Sequence, residues 1–390
     1  MKTTADVVII GAGAIGCSTA YHLARMGIRD VAVVEMDQVG SGASGKSASM
    51  LSLQFGHDDL IVQMAQYSYR RYMAFEDEIG VPIDFRPIGW LSLATAESAD
   101  YLLESARHLQ SRGITTEIWS PEEIRRRYPE INTQDIVLGT WGPDDGPFDP
   151  HMILWGYSKR ARQMGVALAQ GVRATHILTD NGQVAGVVTD HGRIASRTVI
   201  NAGGPWAVEI GRWAGVDLPI VNSARSIVVT GSFPPIPADR PFVYDLSVEW
   251  YFRPEGPGVL MGMGARPTTE PELAFSPEAM DDIIEAATWR VPLLEQAPFL
   301  TGWTGVRPMT IDDRPILGPA PGVDGLLLNC GWGGSGIIQA PIAGQLIAEY
   351  VASGRTSTLD IAPFSIERFA GRPNVRPQDL RKVARREFTH

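Results

Sequence analysis

Between Asp6 and Glu35 the chain runs from a short apolar stretch through Gly11-Ala12-Gly13-Ala14-Ile15-Gly16 into a helical pattern and a second apolar stretch. Val7 to Ile10 reads as a buried strand, being short, apolar and rich in β-branched residues. Cys17 to Met26 carries helical periodicity that stops at Gly27, and Val31 to Val34 reads as the next buried strand. Together they make one βαβ unit. The G-x-G-x-x-G spacing gives each glycine a task. Gly11 permits the tight turn, Gly13 lets the backbone approach a pyrophosphate, and Gly16 lets the helix pack close to the strand. The helix start then offers N–H groups and a partial positive charge to phosphates. Glu35 closes the second strand, where its carboxylate would accept hydrogen bonds from ribose hydroxyls and repel a 2′-phosphate. The unit reads as a Rossmann-like dinucleotide site, against the alternative of a structural glycine-rich turn.

A second glycine loop competes with it. Gly40-Ser41-Gly42-Ala43-Ser44-Gly45-Lys46-Ser47 fits G-x-x-x-x-G-K-[ST], which alone suggests a triphosphatase with Lys46 on phosphates and Ser47 on Mg²⁺. Its position argues otherwise. The strand before it already ends in Glu35, the stretch after it is interrupted by Gly56, and no apolar strand ending in a Mg²⁺-binding Asp follows.

At 390 residues the chain suits two domains. Its 44% hydrophobic and 20% charged residues match a soluble globular protein. The net charge of −10 argues against nucleic acid or an anionic membrane, since phosphate binding needs a cationic face. Two cysteines, Cys17 and Cys330, are too few for a disulfide scaffold or a multi-Cys zinc site. With no HxH or HExxH pair, no catalytic metal is expected. No stretch approaches the roughly 18–20 apolar residues of a membrane span, and no leader precedes Val7, so a cytoplasmic location is expected.

Further along, a long helix is expected from Leu60 to Glu78, and short strands between Val81 and Leu93, broken by Pro82, Pro87 and Gly89. Helices follow at Leu102 to Gln110 and from Pro121 towards Tyr128, then a surface loop from Trp141 to Pro150. Ile153 to Met164 reads as a helix, and Val166 to Leu168, Gly186 to Thr189 and Thr198 to Asn201 as strands. Val216 to Thr304 is strand-rich, with a helix around Glu278 to Trp289, and Ile342 to Val351 makes a closing helix. The tail from Gly371 to His390, with six Lys/Arg against Asp379 and Glu387, is expected to be a solvated extension or a subunit contact.

Several spaced blocks, to about Phe369, make the chain resemble the D-amino-acid oxidase superfamily of flavoproteins, especially glycine oxidase and the sarcosine oxidase β-subunit group. They are the N-terminal βαβ unit, Gly40 to Met50, Asn201-Ala202-Gly203-Gly204-Pro205-Trp206, Gly305-Val306-Arg307-Pro308 with Asp313 to Gly318, and Gly331 to Gly336 leading into Ala340-Pro341. The resemblance implies a discontinuous, Rossmann-like FAD-binding domain near 1–80, 145–215 and 303–366. A strand-rich α+β substrate domain would span 81–144 and 216–302, with an extension at 367–390. FAD contacts are implied at Gly11, Gly13, Ala14, Ile15, Gly16, Glu35 and Met36. They extend to Ser41, Gly42, Ser44, Gly45, Lys46, Ser47 and Met50, which gives the P-loop lookalike a different job; Lys46 would neutralise flavin or phosphate charge, with a plain surface lysine as its alternative. Ala174 falls where the family's backbone meets the adenine, and Ala202, Gly203 and Trp206 complete the nucleotide side. Gly331, Gly333, Gly334, Ser335, Gly336 and Ile337 would pass beside the flavin ring.

The resemblance also implies oxidation of a small amine or amino acid. Arg307 falls at the carboxylate-binding arginine of glycine oxidase, and its guanidinium can grip a carboxylate bidentately. The alternative is an Arg packed on Pro308 and paired with Asp312 or Asp313. Tyr251 aligns with a substrate-facing tyrosine, with core packing as its alternative, and His57 either sits above the flavin or is a plain loop histidine. Leu260 occupies the place of the oxygen-activating lysine of monomeric sarcosine oxidase, and the tethering cysteine of that enzyme falls near Gly305. Noncovalent FAD and a dehydrogenase passing electrons to a partner subunit or separate acceptor are therefore expected. A 2-hydroxy acid dehydrogenase and a non-catalytic flavoprotein subunit or assembly factor stay open beside a secondary or D-amino acid such as sarcosine, glycine, an opine or a proline-like imino acid.

Overall fold

The computed structural model describes residues 2–371. In chain order, the N-terminal unit comprises β1 (Val7–Ile10), α1 (Ala14–Arg25) and β2 (Val31–Glu35). Next come β3 (Met50–Leu51), α2 (Asp59–Met73), α3 (Phe75–Ile79), β4 (Trp90–Thr95), α4 (Ala99–Ser111), β5 (Glu117–Trp119), α5 (Pro121–Arg127), β6 (Ile136–Gly142) and β7 (Gly146–Pro147). The middle of the chain holds α6 (Pro150–Gln163), β8 (Ala167–Gln170), β9 (Ala174–Asp180), β10 (Gln183–Thr189), β11 (Gly192–Ala195), β12 (Thr198–Asn201) and α7 (Ala207–Arg212). The remainder comprises β13 (Ile220–Thr230), β14 (Phe242–Asp245), β15 (Trp250–Glu255), β16 (Gly258–Thr268), α8 (Pro277–Arg290), β17 (Phe299–Thr310), β18 (Ile316–Pro319), β19 (Leu326–Cys330) and α9 (Ala340–Ser353).

Two large sheets organise these elements. The first has the order β18-β19-β12-β1-β2-β8 and is parallel except at its β18 edge. Its central strands are apolar on both faces because both faces are covered. Val7, Ile9, Val31 and Val33 pack under α1, α6 and α9, while Val8, Ile10, Ala32 and Val34 pack against the β9–β11 meander and α7. Helices α1 and α9 cross closely where Gly344 meets Ser18; a Cβ there would come within 2.4 Å of the Ser18 Oγ.

The second sheet has the order β17-β13-β16-β15-β14-β4-β6-β5 and is mostly antiparallel. One face buries Leu91, Leu93, Trp250, Phe252 and Met261 beneath α8 and α5. The other carries Ile227, Tyr251 and Leu260. Strand β17 runs unbroken through position 303 and pairs with β13 along nearly its whole length. Among the described residues, no helix is long and apolar enough to cross a membrane.

Three local expectations are corrected. Residues 81–89 contain no strand; Asp84 takes a left-handed φ of 50° and Gly89 one of 83°, which break extended pairing before β4. The expected long helix divides at Ala74 into α2 and α3. The stretch from Trp141 to Pro150 is not a surface loop, since Gly142, Asp145, Gly146, Pro147 and Phe148 are all buried. Its backbone polar groups are satisfied by Arg86, Gly89 and the β3 pairing, which lets it lie inside. The expected C-terminal extension lies outside the described residues from 372 onward.

Candidate active site

One elongated cavity runs from the loop after β1 to the inner face of the second sheet. At its first end α1 opens without a capping side chain on Gly13, and the Ala14 N–H donates to Ser44 Oγ at 3.0 Å. Gly11 has φ 103°, and a Cβ on it would come within 2.5 Å of the Ala202 carbonyl oxygen. A Cβ on Gly16 would lie 1.9 Å from the Gly11 carbonyl oxygen. Gly16 therefore serves backbone packing and stands outside the cavity wall, whereas Gly11, Gly13, Ala14 and Ile15 line it. The buried Glu35 carboxylate accepts from the Ala12 N–H at 2.7 Å and the Asp37 N–H at 3.1 Å, facing the cavity beside Met36. Ala174, Ala202, Gly203 and Trp206 line the same cavity.

The second glycine loop forms the middle of the wall through Ser41, Gly42, Ser44, Lys46 and Ser47. No helix follows it. The chain turns through Ser49 into β3, so the helix start that a triphosphate loop requires is missing. Lys46 Nζ pairs with Glu272 at 3.1 Å, and its carbonyl accepts from Trp303 Nε1 at 3.1 Å. Gly305 lies against this loop; a Cβ on it would be 3.3 Å from the Lys46 carbonyl oxygen. Gly45 is turned inward, bonding its N–H to the Gly40 carbonyl at 2.9 Å, and Met50 is buried with Ile227 and Val229. Neither reaches the cavity wall.

The far end is cationic. Antiparallel pairing sets Ser223 opposite Arg307 and Arg225 opposite Gly305, so both arginines face the cavity from neighbouring strands. Among the described residues no hydrogen bond or ion pair engages the Arg307 guanidinium. Asp312, one of its two candidate partners, is taken by Arg368 at 2.8 Å, and Asp313 forms no ion pair with it. Enclosure pushes the Arg307 pKa down to about 10, with the Arg225 charge acting in the same direction. Arg225 pairs with Glu249 at 2.6 Å. Tyr251 is buried on β15 opposite Gly262, where a Cβ would come within 2.3 Å of the tyrosine ring, so the bare backbone makes room for it. Its hydroxyl is enclosed without a hydrogen-bond partner among the described residues and borders the cavity. Gly331, Gly333, Gly334, Gly336 and Ile337 close the wall, with Gly334 against Arg307. Ser335 turns away, its hydroxyl donating to the Trp332 carbonyl at 3.1 Å.

Two further residues lie elsewhere. His57 packs edge-on to Tyr101 and beside His108, outside the cavity wall. Leu260 shares the Tyr251 face of the sheet but is buried among apolar side chains. Sequence reasoning passed over Arg225, Glu209 and Trp213, which also line the cavity. Arg225, flanked by Ser223, Ala224 and Ser226, carries no local sequence signal.

The sequence profile described as DAO, FAD dependent oxidoreductase, matches residues 6–350. Sarcosine dehydrogenase of Homo sapiens is 29% identical over 409 residues, covering 100% of this chain and 44% of that protein. The chain thus spans less than half the length of that relative. The crystal structure of L-proline dehydrogenase from P.horikoshii superposes with a TM-score of 0.87 at 25% identity, covering 96% of this chain and 100% of the other. That of glycine oxidase from Geobacillus kaustophilus gives 0.86 at 28%, covering 95% and 100%.

Proposed function

Because this chain belongs to the DAO family of FAD-dependent oxidoreductases, we propose that it oxidises the C–N bond of a small secondary or D-amino acid to the imine. The observation that carries this reading is Arg307, an unpaired guanidinium facing the same cavity as the unpaired Tyr251 hydroxyl. An enclosed cation without a protein partner is costly unless a ligand anion answers it. Arg307 would take the substrate carboxylate through two parallel hydrogen bonds, and Tyr251 would donate to its second oxygen.

The residues present fit FAD. An open helix start, two backbone glycines and a ribose-facing carboxylate line one end of the cavity, and a glycine-rich strip without side chains lines the other. When bound, the flavin supplies a hydride acceptor. Gly11, Gly13 and Ser44 would hold the pyrophosphate, Glu35 the ribose and the Ala174 backbone the adenine. Gly333, Gly334 and Gly336 would border the ring. The six-stranded sheet would thus carry the cofactor and the eight-stranded sheet the substrate. Burial pushes the Cys330 thiol, which lines the cavity, up to about 12, so it stays protonated and unsuited to a covalent tether. We therefore expect acid precipitation to release all flavin into the supernatant; flavin retained on the chain would contradict this.

Anaerobic absorbance titration with N-methyl, D- and cyclic amino acids tests the main reading. One of these compounds should bleach the flavin band. A yellow protein bleached only by 2-hydroxy acids, or by nothing, would overturn C–N oxidation.

A further inference from the structure

One amino-acid carboxylate fills one guanidinium fork, yet this cavity presents two. Arg225 and Arg307 are diagonal neighbours on adjacent antiparallel strands and face the same space. Like charges at that spacing repel. Glu249 answers Arg225 at a single terminal nitrogen, 2.6 Å away, and is positioned by a left-handed backbone φ of 53°. Among the described residues the enclosed Arg225 Nε has no acceptor and the Tyr251 hydroxyl no hydrogen-bond partner. Among the described residues Glu249 is the one carboxylate ion-paired with either arginine; the buried Asp313 feels the charge of both but pairs with neither. Each guanidinium therefore keeps donors free for a carboxylate of its own.

We propose that Arg225 forms a second carboxylate subsite, so that the substrate is a secondary amine bearing two carboxylates, an N-(carboxyalkyl) amino acid. The proposal rests on the C–N oxidation reading of the cavity. In the reaction the substrate C–H bond breaks and its electron pair leaves with the hydrogen for the flavin. Nitrogen loses a proton as C=N forms, and water then adds to carbon and releases an amino acid and an oxo acid.

Two ethers that cannot undergo C–N oxidation separate the subsites. Methoxyacetate and oxydiacetate copy sarcosine and iminodiacetate and differ by one carboxylate. Their binding to the flavin-loaded protein is read from flavin difference spectra. Oxydiacetate should bind more tightly by roughly ten- to a hundredfold, the range expected of a charge-assisted contact. The ratio should fall to near one in Arg225→Gln/Glu249→Gln, a neutral pair that leaves no orphaned carboxylate. Arg225→Lys, which keeps the charge and loses the fork, should fall between. Equal binding of the two ethers to the unaltered protein would overturn the subsite. So would a double variant that weakens both ethers by the same factor, since the two arginines would then share one carboxylate. Anaerobic flavin reduction by sarcosine but not by iminodiacetate would also overturn it while leaving amine oxidation standing. An Arg225-dependent preference for oxydiacetate with no reduction by any amine would support the subsite and remove the C–N reading.

Discussion

A guanidinium enclosed beside another guanidinium gives up its proton more easily, which ties carboxylate capture by Arg307 to pH. The group is charged below its pKa of about 10, so substrate affinity should be level at lower pH and fall as pH rises through that value. Arg307→Ala should weaken substrate binding by on the order of 2–5 kcal/mol. Flavin content should be retained, because Arg307 stands on β17 of the eight-stranded sheet, whereas Gly11, Gly13 and Glu35 belong to the β1–β2 unit of the six-stranded sheet. A variant that lost flavin as well as substrate would make Arg307 a structural residue. At this scale much was legible from types and spacing. Gly11, Gly13 and Glu35 were singled out by the spacing and Arg307 and Tyr251 by the resemblance, and all five line one cavity. Arg225 was not legible, because its neighbour across β13 and β17 depends on a strand register that no local pattern states.

Among the elements, α8 shows how a readable helix acquires an unreadable anchor. Ser276 caps it, accepting from the Ala279 N–H at 3.2 Å, and Pro277 starts it, both ordinary helix-start signals. Its last residue, Arg290, is 1% exposed and reaches Asp245 at 2.7 Å, Asp135 at 2.8 Å and the Asn132 carbonyl at 2.6 Å. Those bonds pin α8 to β14 and to the segment before β6. Arg290→Met would leave the buried Asp245 without its cation, a loss of roughly 3–5 kcal/mol. A thermal melt should show a lowered Tm; an unchanged Tm would mean that the carboxylates find other partners. The stretch from Trp141 to Pro150 misled for a related reason. Gly, Pro and Asp mark turns, but they do not say whether a turn is covered, and here β3 and Arg86 cover it.

Across the whole molecule the chain passes repeatedly between its two sheets, and Asp145 sits at one such crossing. Its carboxylate accepts from Ser52 Oγ at 2.8 Å and the Leu53 N–H at 3.0 Å, and complete burial pushes its pKa up to about 7. The native state therefore holds a proton that the unfolded chain releases near pH 4. Stability contributed by this proton is present at low pH and declines as pH rises from about 4 to about 7. Asp145→Asn, which mimics the protonated form, should flatten that decline in urea unfolding and gain on the unaltered protein above pH 7. Parallel pH profiles for the two proteins would refute it. The sequence by itself determined the βαβ unit, because strand, glycine turn and helix follow from residue type at short range, and its resemblance to a flavoprotein family pointed to FAD and to Arg307. Only the tertiary structure decided which face of each strand meets the cavity. It also set a second arginine beside the first and placed an acidic turn inside the protein. These depend on register and on burial by segments far away in sequence, and a local pattern carries neither.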